Sequence, residues 1–311
     1  MVCEGKPVKF AFIDDLVAGE HRKPRVERIP VSLMCDILGV ARSGYYAWKK
    51  RAESDRARVD AELTDVIKQI HKEHEGRLGI ARMVLELARR GRFHSPKRVR
   101  RLARAAGLTC VHPRPYKATT VADEANNHGL VDLVGRNFVP EGPDQLWFTD
   151  ITYIRTWVGW VYLAAIIDGF TRKVVGWAVD NHMRTSLVTD ALNIAIERQQ
   201  PDIGQTVIHS DRGSQYTSGC FRDLALANGL IPSVGHTGIC FDNAMAESFN
   251  ATVKKELIHL HTWPTPKKVK AALFEYIEIY YNRKRPHTRI GGMTPVEYEL
   301  ILQSEFDAKA A

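Results

Sequence analysis

Three carboxylates stand out by where they fall in the chain. Asp150 lies inside QLWFTDITYIR, a run of aromatic and β-branched residues that reads as a strand. A buried strand rarely holds an unpaired carboxylate, because removing one from water is costly. Either a cation neutralises Asp150 or it faces solvent at the sheet's end. Asp211 follows TVIHS and so falls just past the C-terminal end of a second strand, where open α/β sheets bind ligands. Glu247 sits in DNAMAESFNATVKKE, a polar helix, and 35 residues separate it from Asp211. Acids supplied by a strand interior, a strand end and a helix can converge on hard divalent cations. Mg²⁺ prefers oxygen ligands at about 2.0–2.1 Å. Two such ions roughly 3.5–4 Å apart activate an attacking oxygen and stabilise the leaving oxygen of a phosphodiester. That chemistry asks the protein for positioning and charge neutralisation and little else. Taken singly, Asp211 would more often be a turn or cap residue and Asp150 an ion-pair partner.

The elements around these residues indicate a mixed α/β sheet. Strands are expected at Gln145–Arg155, Trp160–Asp168 and Lys173–Asp180, separated by the turns Val158-Gly159 and Asp168-Gly169. A helix near Thr185–Arg198, a short strand at Gln205–His209 and a helix near Ser218–Gly229 follow, and the chain from Asp242 to about Tyr281 is mostly helical. Asp168, in a turn with Gly169 and Thr171, reads as structural. Trp147, Trp157, Trp160 and Trp177 read as core and its rim. His209, Arg212, Gln215 and Asn243 flank the acids; orienting them, touching a ligand and ordinary hydrogen bonding all remain open. On the last helix Asp242 is the expected N-cap. Glu256 lies nine residues beyond Glu247, on the opposite side of the helix, and is expected to face solvent or a nearby lysine.

The first third of the chain has a different character. Of the formal charge of +8, residues 1–117 carry 26 Lys+Arg against 14 Asp+Glu, and the remainder 18 against 22. A basic front joined to a slightly acidic back suggests a polyanion grip, with nucleic acid the leading partner and a merely solubilising surface the alternative. PVSLMCDILGVARSGYYAW (30–48) resembles a small helix-turn-helix around Gly39. A charged helix over Ala52–Glu75 follows, with Val59, Leu63, Val66, Ile67 and Ile70 on one face. A helix over Gly79–Arg90 ends at Gly91, and Ser95-Pro96 caps and opens the next. RRGRFHSPKRVRRLAR (89–104) holds eight basic residues and no acid. With Val99 and Leu102 inward, Lys97, Arg98, Arg101 and Arg104 project outward, as the reading helix of a major-groove binder does. Residues 112–128 read as a linker. Arg283, Lys284, Arg285 and His287 form a second basic run, suited to DNA phosphates or to surface solubility.

Several classes are excluded. No run of 18 apolar residues suggests a membrane span, and the N-terminus lacks a secretory pattern. The five cysteines are scattered without a C-x-x-C pair and read as free thiols of a cytosolic protein. His71 and His74 have metal-like spacing but no cysteine partners, so two exposed helix histidines are expected.

Together, LWFTDITYI, HSDRGSQY and DNAMAESFNATVKKE resemble the catalytic core of retroviral-integrase-like DDE transposases, including the 35-residue gap. YYNRKRPHTRIGGMTPVEY (280–298) is similar to the tail of bacterial insertion-sequence transposases encoded as the downstream of two overlapping frames, and KRVRRLARAAGL to their helix-turn-helix. The resemblance implies an RNase H-like five-stranded mixed sheet flanked by helices, preceded by an all-α helix-turn-helix region. It implies Asp150, Asp211 and Glu247 as catalytic and metal-binding residues, two Mg²⁺ ions (with Mn²⁺ able to substitute), and attack by water and then a DNA 3′-OH without a covalent enzyme–DNA intermediate. Lys254 matches the family's basic residue seven positions after the glutamate, on the same helix face, and would hold a DNA phosphate; a solvated lysine is its plain alternative. Leu78-Gly79 stands where the family has Tyr-Gly, a change a core position tolerates. The implied partners are the element's terminal repeats, target DNA, further copies of the chain and the upstream-frame product, in a cytoplasmic, nucleoid-associated protein. The expected segments are a helical region at 1–57, a helix-turn-helix domain at 58–115, a linker at 116–138, the catalytic core at 139–260 and a helical extension at 261–311. Two rival readings are a hydrolysing RNase H-like nuclease and a catalytically silent DNA-binding regulator of the element.

Overall fold

The computed structural model describes residues 5–20, 29–51, 54–111, 132–135, 140–235 and 243–310. Asp242 and most of the expected linker lie outside them. The chain divides into two compact units, residues 1–63 and 64–311.

In the first unit, α1 (Lys6–Glu20), α2 (Val31–Ile37) and α3 (Arg42–Lys50) enclose Phe10, Ile13, Met34, Cys35 and Tyr45. Gly39, at φ +63°, makes the turn between α2 and α3, a conformation that an L side chain resists. The Tyr45 hydroxyl donates to Asp14 at 2.7 Å, so the buried ring keeps its polar end paired.

Helix α4 follows at Asp55–Glu73. It starts later than expected because Ser54 caps it, its hydroxyl accepting the Ala57 amide at 3.2 Å. Leu63, Ile67 and Ile70 are buried as expected, whereas Val59, one turn earlier, is exposed. His74 is a correction: it lies past the helix end, buried, with its ring edge-on to Tyr280. Leu78 is buried, in keeping with a core role at the Leu78-Gly79 position.

In the second unit, α5 (Ile80–Arg89) and α6 (Pro96–Ala105) form a helix pair. Between them Gly91 takes φ +73°, and the Ser95 hydroxyl accepts the Arg98 amide at 3.3 Å. Val99, Leu102 and Ala103 face inward. Lys97, Arg101 and Arg104 are exposed and Arg98 is half-buried.

The sheet comprises β1 (Leu146–Thr156), β2 (Gly159–Asp168), β3 (Val174–Asp180), β4 (Val207–Ser210) and β5 (Ile231–Val234), in the order β3-β2-β1-β4-β5. The first three strands form an antiparallel meander, and β4 and β5 run parallel to β1. This is the RNase H-like arrangement. Because side chains alternate along a strand, Trp147, Ala164, Ile166 and Val175 pack under α7 (Thr185–Gln199) and α8 (Gly219–Ala227). Phe148, Leu163, Ala165 and Ile167 pack on the other face, under α9 (Ala244–Glu256), α10 (Pro266–Phe274) and the π-helical turn Glu275–Tyr281 that prolongs it. The close seat of α7 needs Gly176: a Cβ there would collide with the Ala191 carbonyl and lie 2.7 Å from Ala195 Cβ.

Trp147 and Trp177 are buried, but Trp157 is 73% exposed at the tip of the β1–β2 hairpin, so the expectation of core and rim fails there. The last helix, α11 (Pro295–Ala310), closes the chain. Among the described residues, no helix is long and apolar enough to cross a membrane.

Candidate active site

Two neighbouring parallel strands supply the two aspartates. Phe148 of β1 stands opposite His209 of β4. Two residues further along each chain come Asp150 and Asp211, so the register carries them to the same level of the sheet. Helix α9 crosses above β1 and is pinned there by two asparagines. Asn243 Nδ2 donates to the Thr149 carbonyl at 2.8 Å, and Asn250 Nδ2 donates to Asp150 Oδ2 at 2.9 Å. Glu247, Asn250 and Lys254 share one face of α9, spaced i, i+3 and i+7.

The electrostatics show that the three acids feel one another. Asp150, whose Oδ1 accepts the Ile151 amide at 2.8 Å, is pushed up to about 7 by burial first, then by the charge of Asp211 and, more weakly, of Glu247. Burial also raises Asp211, against the Gly213 amide that donates to it at 3.0 Å. Glu247 stands at the open edge of the site and is raised by desolvation and then by Asp211. Like charges gathered in partial shelter disfavour joint ionisation unless a cation joins them. Their hard oxygen donors suit Mg²⁺. Among the described residues no group of three His, Cys, Asp or Glu is spaced closely enough to hold a metal ion.

Lys254 completes this face. Its ammonium lies 4.9 Å from the Tyr153 ring centroid, and burial lowers its pKa while the Asp150 charge pulls it up. Two participants escaped sequence reasoning. Asn250 orients Asp150, and the only available signal was its place one turn after Glu247. Tyr216, fully buried, meets Thr149 Oγ1 at 3.1 Å beneath the site.

Of the other flanking residues, Asn243 bonds to the β1 backbone and His209 sets its ring edge-on to Phe148. His209 Nδ1 meets Ser233 Oγ at 2.9 Å, Arg212 Nε donates to the Gly235 carbonyl at 2.7 Å, and Gln215 Nε2 to the Met183 carbonyl at 3.0 Å. These contacts shape the loops around Asp211. Asp168 is structural: its Oδ2 accepts the Thr171 amide and hydroxyl at 2.8 and 2.6 Å, and its Oδ1 the Asp144 amide.

Glu256 requires a correction. It does lie opposite Glu247, but that side of α9 is covered by the C-terminal segment, and Glu256 is 1% exposed. Arg285 grips it with Nε and Nη2, both at 2.9 Å, while the Tyr276 hydroxyl donates at 2.8 Å and Arg82 Nη1 at 3.3 Å. Although burial alone would raise it, these cations hold the Glu256 carboxyl below its usual range. Arg285 and His287 are therefore internal, and burial, followed by Arg285 and Arg82, pushes the imidazole down to about 2. Only Arg283 and Lys284 of that basic run are exposed. Helix α6 packs on α5 through Val99, Leu102 and Ala103, and leaves Lys97, Arg101 and Arg104 exposed.

An HTH-like domain model matches residues 58–116, and two models described as integrase core domain match residues 140–240 and 228–295. The chain is 37% identical over 278 residues to the transposase for insertion sequence element IS629 of Shigella sonnei, covering 88% of this chain and 92% of that one. It is 34% identical over 298 residues to transposase InsF for insertion sequence IS3A of Escherichia coli (strain K12), covering 94% and 98%. Among solved structures, the HTLV-2 integrase catalytic core domain in complex with magnesium matches half of this chain and 96% of its own, at 18% identity and a TM-score of 0.39.

Proposed function

The chain belongs to the insertion-sequence transposases built on an integrase core, and from that premise we propose that it cuts and joins DNA strands at the ends of its element through Asp150, Asp211 and Glu247. The observation that supports this reading is that Asp150 of β1 and Asp211 past the end of β4 lie at the same level of the sheet beneath α9, which carries Glu247, with Asp150 raised to about 7 by burial and then by the charge of Asp211. Asp150, Asp211 and Glu247 would hold two divalent cations, Mg²⁺ or Mn²⁺. Bound there, the ions supply Lewis-acid activation of the attacking oxygen and charge neutralisation at the leaving oxygen.

The chain's own residues have separable tasks. Asn250 fixes the orientation of Asp150 by donating to its Oδ2, while the Ile151 amide holds Oδ1. Glu247, on the first turn of α9 and exposed, is able to swing inward once its charge is shared. Lys254, held against Tyr153 beside Asp150, places a cation where a scissile-strand phosphate would lie. Water attacks first and a freed 3′-OH second. Residues 58–115 serve as the DNA-binding domain, with Lys97, Arg98, Arg101 and Arg104 on phosphates or base edges. Residues 139–260 are the catalytic core and 261–311 its extension, with 116–138 between the two domains and the helical region 1–57 ahead of them. Pairing two DNA ends calls for more than one copy of the chain, and the work places it on the cytoplasmic nucleoid.

The test uses duplex DNA carrying the element's ends, a labelled strand and Mg²⁺, comparing wild type with Glu247→Gln. We expect strand cleavage and joining to fall by at least about 100-fold, with DNA binding retained. Unchanged cleavage in the variant would remove Glu247 from the site. Replacing Arg98 and Arg101 by Gln should weaken binding and reduce its salt dependence by about one phosphate contact each.

A further inference from the structure

A second charged site lies on the far side of α9 from the carboxylates. Met245, Ser248 and Thr252 project there, opposite Asn250 and Lys254 at 100° per residue. They border a cavity of about 150 Å³ whose other walls bring in Arg82 from α5, Arg172 from the β2–β3 turn, and Arg285 and Arg289 from the C-terminal segment. Three separate stretches of sequence thus deliver four guanidinium groups to one small space.

The charges there are only partly answered. Among the described residues Glu256 is the one carboxylate bonded to this set, and it is occupied by Arg285 and Arg82. Among the described residues neither Arg172 nor Arg289 forms a salt bridge. Arg172 Nη1 points at Met245 Sδ, a weak acceptor, and its buried Nε has no partner. Arg172 is half-buried in a turn at φ +66° and is pushed down by desolvation and by the neighbouring charge of Arg289, with Asp168 a weaker counterweight. Buried donors left unpaired are costly, and mutually repelling guanidinium groups add to the cost. An anion answers both. The two hydroxyls of Ser248 and Thr252 complete a set of donors around this space.

We propose that this cavity is a phosphate-binding pocket, filled by a phosphate group whose planar Arg partners include Arg172 and Arg289. The group comes either from a DNA backbone or from free inorganic phosphate. A DNA source rests on the function proposed above. A backbone phosphate seated here touches the helix pair through Arg82, the sheet through Arg172 and the catalytic helix through Ser248 and Thr252.

Both sources are tested on the full chain in EDTA, where no strand cleavage occurs, so a failed active-site assignment cannot be mistaken for a failed pocket. The probes are duplex DNA of the element's ends and sodium phosphate; the variants are Arg172→Gln, Arg289→Gln and the pair. For DNA, log Kd is measured against log salt. One shared phosphate predicts that each single variant and the double variant lose the same increment of slope, about 0.9. That corresponds to a weakening smaller by about 3.5-fold when salt is raised from about 50 to about 200 mM. If instead free phosphate is the ligand, millimolar phosphate raises the melting temperature of wild type and not of the variants, while the DNA slopes coincide. Arg289 is exposed, so its variant should keep the wild-type fold, checked by its melting temperature without phosphate. The pocket is refuted if neither probe separates the variants from wild type. It is also refuted if the two slope losses add, which would mean two independent surface contacts.

Discussion

Asp150→Asn in cation-free protein should stabilise the fold, and by an amount that grows with pH. The carboxyl ionises near pH 7 in the folded chain against a reference of 3.8, because of burial and the charges of Asp211 and Glu247. An acid whose folded value is raised contributes stability below its unfolded value and loses it as pH climbs to the folded value. Between those limits the loss is about 1.4 kcal/mol per pH unit, reaching about 1 kcal/mol at pH 4.5 and about 4 kcal/mol at pH 8. Asparagine cannot ionise and avoids this loss. The substitution also suits the local bonding: Asn250 Oδ1 is buried without a partner, so a turned Asn250 amide can accept from the new side-chain NH₂ while the Ile151 amide keeps its acceptor. The assay is urea unfolding of both proteins in EDTA from pH 4.5 to 8, followed by addition of Mg²⁺ at pH 8. We expect the variant's advantage to widen by about 3 kcal/mol across that range and to shrink when Mg²⁺ stabilises only the wild type. A pH-independent difference, or a variant less stable at pH 8, would refute the reasoning.

Other outcomes follow from the packing. Glu256→Gln leaves the buried Arg285 without its counter-charge and should cost about 3–5 kcal/mol, read as a fall in melting temperature of roughly 6–20 °C. A substitution there that leaves the melting temperature unchanged would contradict a buried pair. Gly176→Ala should lower stability by about 1–3 kcal/mol or more through overpacking against α7, measurable by the same melt.

Much of the core was legible because its signals are local. Strand alternation in LWFTDITYI and the Ser95-Pro96 helix start each name their element within a few residues. The fifth strand, IPSV, was not located, since four residues containing Pro232 carry no strand pattern; it is an edge strand, where proline is tolerated. The candidate site was legible as spacing, because Asp150 sits inside a strand, Asp211 just past a strand end and Glu247 on a helix face. Asn250 and the burial of Glu256, Arg285 and His287 were not. A charged residue's partners come from distant sequence, 29 residues away for Arg285 and 174 for Arg82, and no periodicity reports what covers the far side of a helix. The apolar stripe of α4 failed at Val59 for a related reason, since a helical stripe marks what can be buried but not how far the cover extends.

The Glu256 cluster bears on how the protein can be divided. Arg82 belongs to the helix pair, Arg285 to the C-terminal segment, and Arg77 Nε donates to the Glu256 carbonyl at 3.1 Å while its guanidinium lies 4.5 Å from the Tyr280 ring. Cutting the chain between the helix pair and the sheet would remove Arg82 from a buried carboxylate and Arg77 from the carbonyl of the same residue, and would uncover the tyrosines beneath them. The helix pair and the catalytic sheet are therefore poor candidates for exchange between relatives as separate cassettes. A transplanted helix pair would have to bring its own arginines into register with the recipient's glutamate, so recombination that keeps both on one fragment is the route that preserves a folded product.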